Sequence, residues 1–167
     1  MGKHERCIAE GFPPPRHDHD ACIDAAMDEA ERLCRERGVK LTTLRRRVLE
    51  LIWQSHRPVT AYALLELLVR EGRRAQAPTV YRSLQFLLDA GLIHRIESLN
   101  AYVGCTRPRQ RHDVGIFICE SCGEVAEVSD PGIGRSIMRA ASRVGFDARS
   151  GVIEVSGTCR TCSERVG

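Results

Sequence analysis

Four cysteines in two short pairs constrain this chain more than any other feature. Cys119 and Cys122 form one Cys-x-x-Cys; Cys159 and Cys162 form another, about 40 residues later. Within a pair, a tight turn brings two thiolates to one point, and two pairs close a tetrahedral four-sulfur zinc site. Gly123 follows the first pair and lets the chain reverse without a Cβ in the way. One pair alone would suit a dithiol redox centre equally well; two in so short a segment favour metal. Such a site has no open coordination position, so its role is structural and not catalytic. Residues 115–167 number only 53. Below roughly 70 residues an apolar core alone is marginal, and a metal staple is a common remedy.

The residues before this segment read as a helical domain with a hairpin. A length of 167 residues permits one ordinary domain or two small ones. Residues 1–19 carry Pro13, Pro14 and Pro15 and read as a tail, in which His17-Asp18-His19 is a weak metal tract. From Asp20, a plausible cap, Ile23, Met27, Ala30, Leu33 and Cys34 recur at helical spacing up to Gly38. Thr42 or Thr43 caps a second helix through Leu44, Val48, Leu51 and Ile52, and Pro58 breaks it. Thr60 opens a third helix, ending near Gly72. A fourth, with Pro78 in its first turn, runs through Val80, Leu84, Leu87 and Leu88 to Gly91. Two helices joined by a short connector make a helix-turn-helix. Leu92 to Ile96 and Ala101 to Val103 flank a turn at residues 97–100, which reads as a β-hairpin wing.

Arg107, Pro108, Arg109, Gln110 and Arg111 form a charged connector. The expected organisation is therefore a tail over 1–19, a winged-helix domain over 20–104, a hinge over 105–114 and a zinc-stapled domain over 115–167. In the last, Val114, Ile116 and Ile118 alternate as in a strand, as do Val125 and Val128. Asp130-Pro131 starts a helix that Gly145 ends, and residues 152–155 form a final strand. The fold class is α+β. Apolar residues make up 43% of the chain and aromatic ones only 5%, so the aliphatic share can fill small cores but a large aromatic-lined pocket is not expected. No apolar run nears the roughly 18 residues of a membrane span, and no signal-peptide core is visible, which predicts a cytoplasmic protein. A net charge of +3 is too small to argue for nucleic acid by itself. The basic residues are nearly all arginine, whose planar fork suits phosphate and guanine. No HExxH is present, and no His-x-Glu partners a Cys-x-x-Cys, so zinc-hydrolase and deaminase chemistry is not expected.

The segment Ala77-Pro78-Thr79-Val80-Tyr81-Arg82-Ser83-Leu84 resembles the recognition helix of the ferric uptake regulator family. The Cys119-to-Gly123 knuckle and the closing Cys159/Cys162 pair resemble that family too, and the likeness covers about residues 20–162. The zinc uptake branch fits best, on Gly91 to Ser98 leading to Tyr102 and Cys105. It also fits because the His-rich stretch of iron and peroxide sensors is missing ahead of the first Cys-x-x-Cys. Two adjacent positions depart: the second helix opens Thr42-Thr43-Leu44-Arg45 where relatives often carry Thr-Pro-Gln-Arg, so the arginine stays and the glutamine is missing.

The resemblance implies a zinc-responsive transcriptional repressor, not an enzyme. It implies a homodimer on double-stranded operator DNA, with no membrane and no small-molecule substrate. Another metal- or peroxide-sensing regulator of the same family is the alternative. Two zinc ions per protomer are implied. A structural one sits on Cys119, Cys122, Cys159 and Cys162. A regulatory one sits on His94, Cys105, His112 and Glu127, with Glu124 competing for the carboxylate role and Asp113 close to His112. The fourth helix would enter the major groove. There Thr79, Tyr81 and Arg82 are candidate DNA contacts, together with Tyr62, Lys40 and Arg45. Cys7, Cys22 and Cys34 are read as thiols outside the metal chemistry.

Overall fold

The computed structural model describes residues 11–12, 18–109, 114–148 and 152–165. The chain divides into two compact units, the first ending at Arg109, with residues 11–12 grouped with the second.

In the first unit, helix α1 (His19–Glu36) starts where the Asp18 side chain accepts from the Ala21 amide at 3.1 Å. The cap is thus Asp18 and not Asp20, which lies in the first turn, where its charge suits the helix dipole. Helix α2 (Thr43–Trp53) is capped by Thr42 through the Arg45 amide. A short strand β1 (Val59–Thr60) follows, then α3 (Ala61–Arg70), whose first turn Thr60 caps. Helix α4 (Ala77–Asp89) carries Pro78 in its first turn. The wing is β2 (Ile93–Ile96) and β3 (Ala101–Gly104). β3 is central, pairing antiparallel with β2 and with β1, which places Val59 opposite Tyr102. β1 was not anticipated: two residues carry no periodicity, and they become a strand only because β3 offers an edge.

Val48, Leu49, Ile52, Leu64, Leu68, Val80, Leu84 and Leu87 are fully buried in one core drawn from α2, α3 and α4. Gly104 ties the wing to that core. A Cβ there would stand 2.2 Å from the Trp53 indole, so any side chain must displace the ring or the strand. Arg109, the last residue of this unit, bonds both Glu36 carboxylate oxygens, at 2.9 and 3.0 Å. The guanidinium holds the Glu36 carboxyl below the usual carboxylate range.

The second unit contains β4 (Val114–Cys119), β5 (Val125–Ser129), α5 (Pro131–Arg143), β6 (Val152–Gly157) and α6 (Arg160–Ser163). β4 is central, antiparallel to β5 and parallel to β6, so a crossover is required and α5 lies within it. α6 is a single helical turn within the closing Cys-x-x-Cys, too short to leave a pattern in sequence. Ile116, Ile118, Val125 and Ala126 are buried, whereas α5 buries only Gly134. Ile137 and Met138 of α5, Val144 and Phe146 after it, and Val152 and Val155 of β6 are exposed. Among the described residues, no helix is long and apolar enough to cross a membrane.

Candidate metal centres and nucleic-acid interface

The four cysteines of the two pairs converge. Their sulfurs all lie within 4.8 Å of one another, and Cys122 Sγ stands 3.9 Å from Cys159 Sγ. A tetrahedral zinc–thiolate centre with bonds near ~2.3 Å needs sulfur edges of about 3.8 Å. Local hydrogen bonds make the convergence. The Gly123 amide donates to the Cys119 carbonyl at 2.8 Å, folding the knuckle, and Gly123 takes a φ of 73°. The Cys119 amide donates to the Glu124 carbonyl at 2.9 Å. In the closing pair, the Cys162 and Ser163 amides donate to the Cys159 carbonyl at 3.0 and 2.9 Å. The Cys159 amide donates to Cys119 Sγ at 3.3 Å. Phe12 packs over the cluster.

The electrostatics ask for a cation. The Cys159 amide, helped by that of Cys122, draws the Cys119 thiol down to about 6. Hydrogen bonding to Cys159 and burial push the Cys162 thiol up to about 12. The cluster therefore accepts one negative charge readily and resists the next. A divalent ion with soft preferences resolves that conflict, and four sulfurs in this geometry suit zinc.

The residues expected to bind a regulatory ion are described unit by unit. His94 sits on β2 opposite Val103. Cys105 follows β3, and its amide donates to the Leu92 carbonyl at 3.0 Å. That register puts His94 and Cys105 on one face of the hairpin as diagonal neighbours, their ligand atoms within 4.8 Å. Cys105 is 4% exposed. In the second unit, Glu127 lies on β5 opposite Ile116 and is 8% exposed, the one buried charged side chain among the described residues. Glu124 is half-buried in the knuckle. His112 and Asp113 lie outside the described residues.

Helix α4 has two faces. Val80, Leu84 and Leu87 are buried, and the Ser83 hydroxyl turns inward to bond the Thr79 carbonyl at 2.9 Å. Tyr81 and Arg82 face outward, and Tyr81 is 56% exposed. Among the described residues Arg82 makes no ion pair, and its guanidinium donates a hydrogen bond to the Thr79 hydroxyl at 3.4 Å. Tyr62, on α3, is exposed too. Lys40 is exposed. Arg45 is turned inward instead: its guanidinium lies 3.7 Å above the Phe86 ring of α4 and donates to the Lys40 carbonyl at 2.8 Å. That stacking locks α4 onto the start of α2. Cys34 is buried, and burial raises its thiol, consistent with a packing role.

Known proteins resemble this chain in sequence and in fold. Residues 36–156 match the profile of the ferric uptake regulator family. The zinc uptake regulation protein of Escherichia coli (strain K12) is 41% identical over 139 residues, spanning 83% of this chain and 81% of that protein. The zinc uptake regulation protein of Mycobacterium tuberculosis (strain H37Rv) is 32% identical over 106 residues, 62% of this chain and 78% of that one. A solved zinc uptake regulator complexed with zinc and DNA superposes with a TM-score of 0.81 at 39% identity, covering 86% of this chain and 97% of that one. The holo form of XcZur gives 0.76 at 38% identity, over 83% and 96% of the two chains.

Proposed function

The chain belongs to the ferric uptake regulator family, and from that membership we propose that it is a zinc-responsive repressor of zinc-homeostasis genes, acting by binding DNA and not by catalysis. One observation carries the reading: a chain with a four-thiol cluster and an outward-facing Tyr81–Arg82 helix superposes on a regulator bound to zinc and DNA. The compartment is accordingly the one that holds the DNA, the cytoplasm.

Each protomer takes two zinc ions. One is structural, on Cys119, Cys122, Cys159 and Cys162. The other is regulatory, on His94, Cys105, His112 and Glu127. Supporting that set are the shared wing face of His94 and Cys105 and the burial of Glu127. A buried carboxylate is kept in place by cationic or hydrogen-bonding neighbours, and Glu127 is preferred over half-buried Glu124 on that ground. Donors drawn from both units let zinc favour one arrangement of the protein over others, and only such differential binding shifts a population. The test is an operator titration with zinc and with a chelator. Tighter binding with zinc is expected; equal affinity in both overturns the reading.

Arg82 reads base edges, with Thr79, Tyr81, Tyr62 and Lys40 contacting backbone or sugar, and Arg45 holding α4 in place. Arg82→Ala should cost ~1–3 kcal/mol on the operator and much less on random DNA. Equal losses on both would assign Arg82 to phosphate instead.

The protein works as a homodimer on a two-fold operator. The exposed Ile137, Met138, Phe146, Val152 and Val155 provide the apolar surface a second copy would cover. Ile137→Asp should convert the dimer to monomers in sedimentation and weaken operator binding, while the far-ultraviolet spectrum stays unchanged. A dimer that persists would place the interface elsewhere.

A further inference from the structure

We propose a third metal site, lying wholly in the first unit and built from His19, Cys22 and His56, that takes a borderline-soft divalent cation of the zinc type. It is independent of the regulatory set above. His19 and Cys22 stand three residues apart in the opening turns of α1, so their side chains share a face. His56 lies in the turn after α2, three residues beyond Trp53. The chain folds these distant positions together: one ligand atom from each lies within 4.8 Å of the others. Tetrahedral zinc with bonds of ~2.0–2.3 Å needs donor separations of roughly 3.3–3.8 Å, which small side-chain rotations reach.

The donor chemistry fits. The two imidazole rings have centroids 4.8 Å apart and are tilted by 58°, so they do not stack flat, and each can aim a nitrogen at a common point. Cys22 is 2% exposed, and although the two histidines are half-buried as residues, both ring nitrogens of His19 lie inside, on the side of the sulfur. The positive end of the α1 dipole favours an anionic sulfur there. Two nitrogens and one sulfur suit zinc or its cobalt surrogate and not magnesium or calcium. Three protein donors leave one position for water or an outside ligand.

The consequence differs from that of the regulatory ion. All three donors belong to one unit, so a bound ion pins the start of α1 to the turn between α2 and β1. It stiffens the scaffold that carries the reading helix without drawing on the second unit.

Cobalt binding to the full chain tests this, with the four-cysteine site kept filled by spectroscopically silent zinc. In a Cys105→Ser background, cobalt should still produce a thiolate-to-cobalt charge-transfer band. Adding Cys22→Ser should abolish that band and remove one cobalt per chain. His56→Gln should weaken uptake in the same way, and its less buried position guards against mistaking misfolding for ligand loss. Cobalt should also raise the melting temperature of the Cys105→Ser protein but not of the double variant. If cobalt uptake and spectrum are the same with and without Cys22 and His56, the third site does not exist. That result leaves zinc-switched operator binding untouched. Conversely, a Cys105→Ser protein that keeps both the band and zinc-switched DNA binding would sustain this site and defeat the regulatory set.

Discussion

Cys159→Ser should unfold the second unit and not merely trim its stability. Among the described residues of that unit the buried apolar ones outside the cysteine cluster are few: Ile116, Ile118, Val125 and Ala126, with α5 contributing only Gly134. Structural zinc contributes an apparent ~10–16 kcal/mol in small zinc-dependent folds. Whole domains are stable by only about 5–15 kcal/mol. The site as a whole therefore contributes as much as the entire margin, and losing one of its four thiolates cuts deeply into it. Amide hydrogen exchange should show β4, β5 and β6 unprotected in the variant, while α2, α3 and α4 keep their protection on a core of their own. A strong chelator acting on the parent protein should give the same pattern. Acid should act in the same direction. Burial and its neighbours push the Cys162 thiol up to about 12, so in the metal-free cluster that sulfur holds its proton at neutral pH. Protons then compete for the remaining sulfurs, and the ion leaves more readily as pH falls. Retained protection across β4–β6 in Cys159→Ser would show that the metal is dispensable for this fold.

What could be read from sequence was local. The four cysteines were legible because each pair fixes its own geometry within four residues. The openings of α2 and α4 were legible because Thr42 and Pro78 act on the next turn. Asp18 was missed in favour of Asp20 because an aspartate suits both the cap and the first turn of a helix, and only the backbone decides between them. β1 and α6 left no pattern at two and four residues. Arg45 shows what reading charge leaves out: besides being a candidate phosphate contact, it lays its fork on Phe86, some 40 residues away. His56 carried no signal at all. It is a lone histidine 34 residues from Cys22, and nothing short of tertiary folding brings the two together. His94 and Cys105 were singled out through family resemblance, with their places on the two wing strands in support, and the register that makes them diagonal neighbours follows from the turn at residues 97–100.

Cys105→Ser should uncouple zinc from DNA while leaving the protein folded and able to bind. The substitution changes one buried atom, sulfur to oxygen, at a residue that is 4% exposed. A serine hydroxyl keeps its proton at neutral pH and cannot replace a thiolate as a zinc ligand. Coupling of one effector to one ligand is typically ~1–3 kcal/mol, or about 5–150-fold in affinity. The ratio of operator affinities with and without zinc should fall from that range to near unity. Arg82→Ala provides the contrast: it should lower affinity at both zinc levels and leave the ratio intact. Linkage requires the converse effect in the parent protein, with operator DNA raising zinc affinity by the same factor. Because imidazole and thiolate ligands must shed protons to bind, the zinc needed for half-maximal operator binding should rise as pH falls. Titrating iron in place of zinc should move operator binding little, since a nitrogen, sulfur and oxygen set with a buried thiolate favours the softer ion. A serine variant that retains the parent's zinc ratio would remove Cys105 from the sensing chemistry and return the wing cysteine to a packing role.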